Sequence, residues 1–133
     1  MLDVRINHSM PDFNLAIDLS VDKEILSILG PSGSGKTMTL LSIAGLLRPD
    51  SGSISLNGRT LFCSTKKIFL PPQQRRIGFV FQNYALFPHL TVAENIAYGM
   101  HGQLKAEIHM RVDNLLELIN IPGLKSRYPH EIS

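Results

Sequence analysis

Eight residues, GPSGSGKT from Gly30 to Thr37, constrain this chain more than any others. They match the pattern G-x-x-x-x-G-K-[ST]. A short apolar run, EILSILG (24–30), leads into them, and KTMTLLSIAGLL (36–47) follows. In that second run Leu40, Leu41, Ala44 and Leu47 recur at helical spacing, and Arg48-Pro49-Asp50 is a stop signal. The pattern therefore sits between an expected buried strand and an expected helix, where its chemistry needs it. Phosphate groups carry several negative charges in a small volume. A loop that wraps them must turn consecutive backbone N–H groups inward, and side chains would obstruct this. Gly30, Gly33 and Gly35 permit the close approach. The helix that begins near Lys36 adds its positive end and its unpaired N–H groups. Lys36 is placed to reach the β- and γ-phosphates, and the Thr37 hydroxyl to ligate Mg²⁺. Pro31, Ser32, Ser34 and Met38 complete the expected contact set for a nucleotide such as ATP.

The rest of the chain supports a packed domain around this loop. Hydrophobic residues make up 44% of 133 residues and charged residues 18%, enough for a core and against disorder. LDVRIN (2–7) and FNLAIDLS (13–20) alternate apolar and polar residues, as a pair of strands turning at Met10-Pro11-Asp12. SGSISLNGRTLF (51–62) alternates around Asn57-Gly58, a hairpin signal. A loop containing Pro71-Pro72 follows, and RIGFVFQ (76–82) reads as a second buried strand. A short helix is expected from Thr91, with Glu94 three residues on as its capping partner. A longer helix is expected over 104–119, using Leu104, Ile108, Val112, Leu115, Leu116 and Ile119.

Several chemistries find no support. The net charge of +2 is far from a nucleic-acid footprint, and the pairs Lys66-Lys67 and Arg75-Arg76 read as solvated loop charges. The single cysteine, Cys63, cannot close an internal disulfide, and His8, His89, His101, His109 and His130 form no metal-type pair. No run approaches the roughly 20 apolar residues a membrane span needs.

Three stretches in order carry a resemblance: GPSGSGKT, RPDSGSISLNG and GFVFQNYALFPHLTVAENI. Together they resemble the ATP-binding subunits of ABC transporters, over essentially the whole chain. The resemblance implies an α/β fold of the P-loop NTPase class. Here it would be a partial ABC ATPase domain, with an antiparallel β subdomain, an incomplete RecA-like parallel core and the start of a helical subdomain. The β subdomain and phosphate-loop core would take 1–82, and the glutamine loop and helical segment 83–133. Gln82 would be catalytic with Lys36, and would ligate Mg²⁺ with Thr37. Phe13, the aromatic ahead of the loop, is the candidate to stack on adenine, with core packing as the equal alternative. Residues 83–92 would face a transmembrane permease, with Tyr84, Leu86, Phe87 and Leu90 at the contact.

The same resemblance implies ATP hydrolysis by a homodimer on the cytoplasmic face of the inner or plasma membrane. The dimer would be peripheral, power an importer fed indirectly by an external binding protein, and have no nucleic-acid partner. The compact segment before LPPQQRR and the run RRIGFVFQNYALFPHLTV are most like molybdate importers, with sulfate, polyamine and iron importers close. YPHEIS (128–133) resembles the lead into the family's Leu-Ser-Gly-Gly-Gln signature, with Ile132 in place of leucine. The chain as given carries neither that signature nor the apolar strand ending in Asp-Glu. It is therefore expected to bind Mg-ATP weakly, to turn over negligibly alone, and to expose an apolar sheet face that favours self-association. The alternatives are a non-transport ABC-type ATPase and a nucleotide-binding fragment without turnover.

Overall fold

The computed structural model describes residues 1–11 and 13–132. The chain forms two compact units, Met1–Phe79 and Val80–Ser133. The expected turn at Met10-Pro11-Asp12 falls partly on Asp12, outside the described residues, as does Ser133 at the end of YPHEIS.

In the first unit, β1 (Leu2–Met10) pairs antiparallel with β2 (Phe13–Val21) in unbroken register from Leu2↔Val21 to Met10↔Phe13. Strict alternation explains the pairing: Val4, Ile6, Leu15 and Val21 are buried, while Arg5, Asn7, Asn14 and Asp18 face solvent. β3 (Ser51–Leu56) pairs antiparallel with the other edge of β1, and β4 (Arg59–Cys63) folds back on β3. The hairpin turns at Asn57-Gly58 with φ of 50° and 78°, as the dipeptide predicts. A two-residue strand, β5 (Ile68–Phe69), completes the sheet order β2-β1-β3-β4-β5. Val4, Ile6, Ile54, Leu61 and Phe62 form the core, and Ile43 of helix α1 (Lys36–Ala44) packs against it. A single-turn helix, α2 (Pro72–Arg75), follows where sequence patterning shows only a loop.

Two expected strands are absent among the described residues. Residues 24–30 and 76–82 form no ladder. Both carry bare apolar side chains: Ile25 is 97% and Leu29 91% exposed, and Val80 is 89% exposed. Apolar character gives a run a reason to be buried, but a strand also needs a neighbour for its N–H and C=O groups. Among the described residues the five strands pair with one another in a wholly antiparallel sheet, and no parallel pair of the expected incomplete core is formed.

The second unit is helical. It contains α3 (Val92–Ala97) and α4 (Lys105–Leu118), close to the expected spans. Val112 and Leu116, one turn apart, are the buried pair of α4; Leu104, Leu115 and Ile119 of the expected stripe are exposed. The Val92 and Ala93 amides donate to the Arg127 and Lys125 carbonyls, which ties the start of α3 to the segment beyond α4.

Phe62 is 1% exposed and meets Phe69 edge-on at 6.3 Å. Phe62→Ala is expected to cost about 3–5 kcal/mol. Lys66→Ala on the exposed turn should stay within about 0.5 kcal/mol. Urea unfolding of the two variants measures the difference.

Candidate functional site

The phosphate loop opens α1. Gly35 is the residue before the helix, at φ 86°, a conformation that L side chains rarely adopt. Space excludes a side chain there as well. A Cβ on Gly35 would collide with Leu15 Cδ1 and come 3.3 Å from Phe13 Cε1. β2 therefore supplies the wall against which the loop turns, and the Phe13 ring lies beside it.

Beyond Gly35 the first-turn amides of Lys36, Thr37 and Met38 have no partner within the helix, because none exists four residues back. The first turn holds no acidic residue, so nothing there opposes an anion. Lys36 Nζ donates to Gly30 O at 2.8 Å and Pro31 O at 2.6 Å, with Ser34 Oγ at 3.4 Å. These bonds close the loop and hold the ammonium across it. Thr39 Oγ1 donates back to Gly35 O at 3.0 Å, as does the Thr39 amide at 2.9 Å. Thr37 is exposed, and with Lys36 it borders a cleft of about 520 Å³ walled by Leu26, Ile28, Leu40 and Ile43, with Glu24 also on its lining. The donor set fits a polyphosphate: a fixed ammonium, free helix amides and a hydroxyl, with no carboxylate in the turn. For Mg²⁺ the first unit offers the Thr37 hydroxyl. Among the described residues no group of three His, Cys, Asp or Glu could hold a metal ion on its own.

The helix also differs from its expected pattern. It ends at Ala44, with Gly45 capping it at φ 85° and Leu46 N donating to Leu41 O, so the stop lies ahead of Pro49. Thr39 and Ser42 are buried, whereas Leu40 is 46% exposed toward the cleft. The Thr39 hydroxyl bonds Gly35 O, and the Ser42 hydroxyl is buried without a hydrogen bond. Arg75, read from sequence as a solvated charge, is 1% exposed. Its Nη1 donates to Ser42 O at 2.7 Å and Ile43 O at 2.8 Å, and its Nε to Leu70 O at 2.7 Å. Burial draws its pKa below the ordinary value for arginine. Arg76, its neighbour, is exposed as expected. The signal that separates them is positional: Arg75 ends a helical turn begun by Pro72, and Arg76 leaves it at φ 57°.

Gln82 lies in the second unit, exposed, at the start of an irregular stretch. Tyr84 and Ala85 both adopt positive φ, 60° and 48°, which turns Tyr84 and Leu86 outward at 78% and 52% exposure. Phe87 instead turns in and lies 4.2 Å, centroid to centroid, from Tyr98. Asn95, which sequence patterning did not single out, holds this loop. Its Oδ1 accepts from Phe87 N at 2.9 Å, and its Nδ2 lies 3.1 Å from Phe87 O and 3.0 Å from Leu90 O.

The capping box expected at Thr91 forms. Glu94 N donates to Thr91 Oγ1 at 3.3 Å, and Thr91 N to Glu94 Oε2 at 2.7 Å. The Thr91 backbone amide, followed by its hydroxyl, holds the Glu94 carboxyl below its ordinary pKa.

A family model described as ABC transporter matches residues 14–133. The sulfate/thiosulfate import ATP-binding protein CysA of Mycobacterium tuberculosis is 50% identical over 111 residues, 82% of this chain and 30% of that protein. The molybdenum import ATP-binding protein ModC of Paramagnetospirillum magneticum is 43% identical over all of this chain and 37% of its own length. The spermidine/putrescine import ATP-binding protein PotA of Nitrosospira multiformis is 46% identical over 90% of this chain and 32% of its own. The chain thus spans about a third of the length of these curated relatives. Among solved structures, the dimeric bacterial ABC transporter cassette MJ0796 superposes with a TM-score of 0.80 at 24% identity. That match covers 100% of this chain and 63% of the cassette, and it shows the fold.

Asn95→Ala is expected to cost about 1–3 kcal/mol by leaving the Phe87 and Leu90 backbone groups unpaired. Amide exchange over 87–91 should rise while α4 stays protected; equal exchange in both would refute the role of Asn95. The Glu94 cap has a definite pH sense. Because the folded pKa is depressed, its contribution is complete above the ordinary carboxylate range and is lost as pH falls through the folded value. Protection at the start of α3 should fall with acidification in the native chain, and Glu94→Gln should remove that pH dependence.

Proposed function

The chain belongs to the ABC transporter family, and we propose that it is the nucleotide-binding portion of an importer's ATP-binding subunit. The observation that carries this reading is the closed loop at the head of α1, with Lys36 bound across it and free helix amides behind it. Gly30 to Met38 would hold the phosphates. Lys36 would exchange its two carbonyl partners for β- and γ-phosphate oxygens. Thr37 and Gln82 would supply oxygen ligands to Mg²⁺, whose bound charge neutralises the phosphates during transfer. Phe13, beside Gly35, would stack on adenine. Gln82 would also orient the attacking water, since an amide can accept and donate hydrogen bonds without repelling phosphate.

In the complete subunit we infer ATP hydrolysis that powers import. A second copy would face this one, and permease subunits would dock on 83–92, where Tyr84 and Leu86 are exposed. The cytoplasmic face of the membrane is where such a peripheral subunit would meet ATP, with an external binding protein upstream. Molybdate or a similar oxyanion is our reading of the cargo, supported by the resemblance to ModC along the full chain. The similarity to PotA, whose named cargo is cationic rather than anionic, suits a segment that handles nucleotide and leaves cargo recognition to other subunits.

Titration of the chain with a fluorescent ATP analogue and Mg²⁺ tests the reading. Saturable binding that Lys36→Ala weakens at least about tenfold, roughly the worth of one charge-assisted contact to phosphate, is expected. Equal binding by both forms would overturn it. Phosphate release by the chain alone should not exceed that of Lys36→Ala; turnover well above it would refute the expected inactivity.

A further inference from the structure

We propose that Arg75 is a positioning residue for the phosphate loop: its guanidinium fixes the end of α1 and thereby the placement of Lys36 and Thr37 at its head. The proposal rests on the nucleotide reading above. The Ser42 and Ile43 carbonyls that Nη1 engages belong to the last turn of α1, where Ser42 O also accepts from the Gly45 amide at 3.2 Å. The Nε bond to Leu70 O and the guanidinium's seat 5.2 Å over the Phe69 ring root the same side chain in β5 and the residue that follows it. One planar group therefore bolts the helix to the antiparallel sheet. A lysine ammonium could reach one of these acceptor sets but lacks the rigid fork that spans both.

Gly45 is shaped to the bolt. A Cβ there would lie 2.8 Å from Arg75 Cζ and 3.0 Å from Cδ, and the backbone is at φ 85°. The arrangement is not what packing alone would select. Arg75 has no carboxylate partner among the described residues, and its Nη2 is buried without a hydrogen bond. An apolar side chain would fill such a site with less desolvation. What the cation adds is direction. It holds the negative end of a helix whose positive end faces the loop. α1 has nine residues, a rod roughly 13 Å long, so a tilt of about 5° at the bolt would move the loop by about 1 Å. Errors of that size can cost up to about a hundredfold in the rate of a reaction that depends on placement.

The test separates positioning from stability in the full chain. Arg75→Met, Arg75→Lys and Ile54→Val are compared for melting midpoint, affinity for the fluorescent ATP analogue with Mg²⁺, and amide exchange over 30–37. Ile54 lies in the sheet core, so its variant reports what lost stability alone does. At a temperature where all are folded, Arg75→Met should weaken affinity by about tenfold or more and raise exchange in the loop. Arg75→Lys should recover part of both, and Ile54→Val should stay within about twofold of the parent. Parental affinity and loop protection in folded Arg75→Met would overturn the proposal. So would an equal affinity loss in Ile54→Val per degree of melting shift. If Arg75→Met does not fold, Gly45→Ala, which displaces the guanidinium, must show the same pattern, and parental behaviour in it overturns the proposal. If Lys36→Ala binds nucleotide as well as the parent does, the phosphate reading has failed, and loop exchange without nucleotide still decides the role of Arg75.

Discussion

A helix of nine residues is too short to hold itself together in water, and the first unit is organised around that fact. α1 persists because both of its ends are gripped. At its head the chain reverses at Gly35 against Leu15 and Phe13 of β2. At its tail Gly45 turns left-handed and Arg75 binds the Ser42 and Ile43 carbonyls. Ile43 lies against the sheet core between the two. The sheet is thus the frame on which α1 is mounted, and the chemistry at its N-terminus inherits its accuracy from that mounting.

What could be read from the sequence divides by the range of the interaction. Asn57-Gly58 sets a hairpin through its own backbone, and Thr91 with Glu94 caps a helix across three residues. Lys36 closes onto Gly30 and Pro31 within the same loop. Each was legible because the partners lie in one short window. Arg75 was misread because two of its three acceptors lie more than thirty residues upstream and all three are carbonyls, which no residue type announces. Asn95 was missed because its partners are the backbone of 87–91, so nothing in the identities of those residues points to it. Residues 24–30 and 76–82 were read as strands from composition, but a ladder belongs to a pair of segments and not to one.

The second unit shows the same economy of means in a loop instead of a helix. One amide side chain and one capping carboxylate hold 87–94, and the neighbouring left-handed pair Tyr84-Ala85 leaves its side chains outward. The consequence is a graded segment, fixed at the α3 side and exposed toward Gln82. A polar anchor does this better than apolar packing would, because it fixes backbone positions without covering the neighbouring surface.

The approach to the phosphate loop is the counterpart of its mounting. The residues leading into Gly30 carry Ile25 and Leu29 almost wholly exposed and make no ladder. A ladder would fix a chain within tenths of an ångström through paired N–H and C=O groups. On this side the loop has no such constraint, and the bonds of Lys36 to Gly30 and Pro31 are local to the loop itself. Placement relative to the sheet therefore comes through α1 and through the contact of Gly35 with Leu15 and Phe13 of β2. That places a geometric burden on the groups that orient α1, and among them Arg75 binds both the helix end and the segment between β4 and α2. A buried cation without a carboxylate is a poor choice for stability, but it suits a joint that must hold one direction.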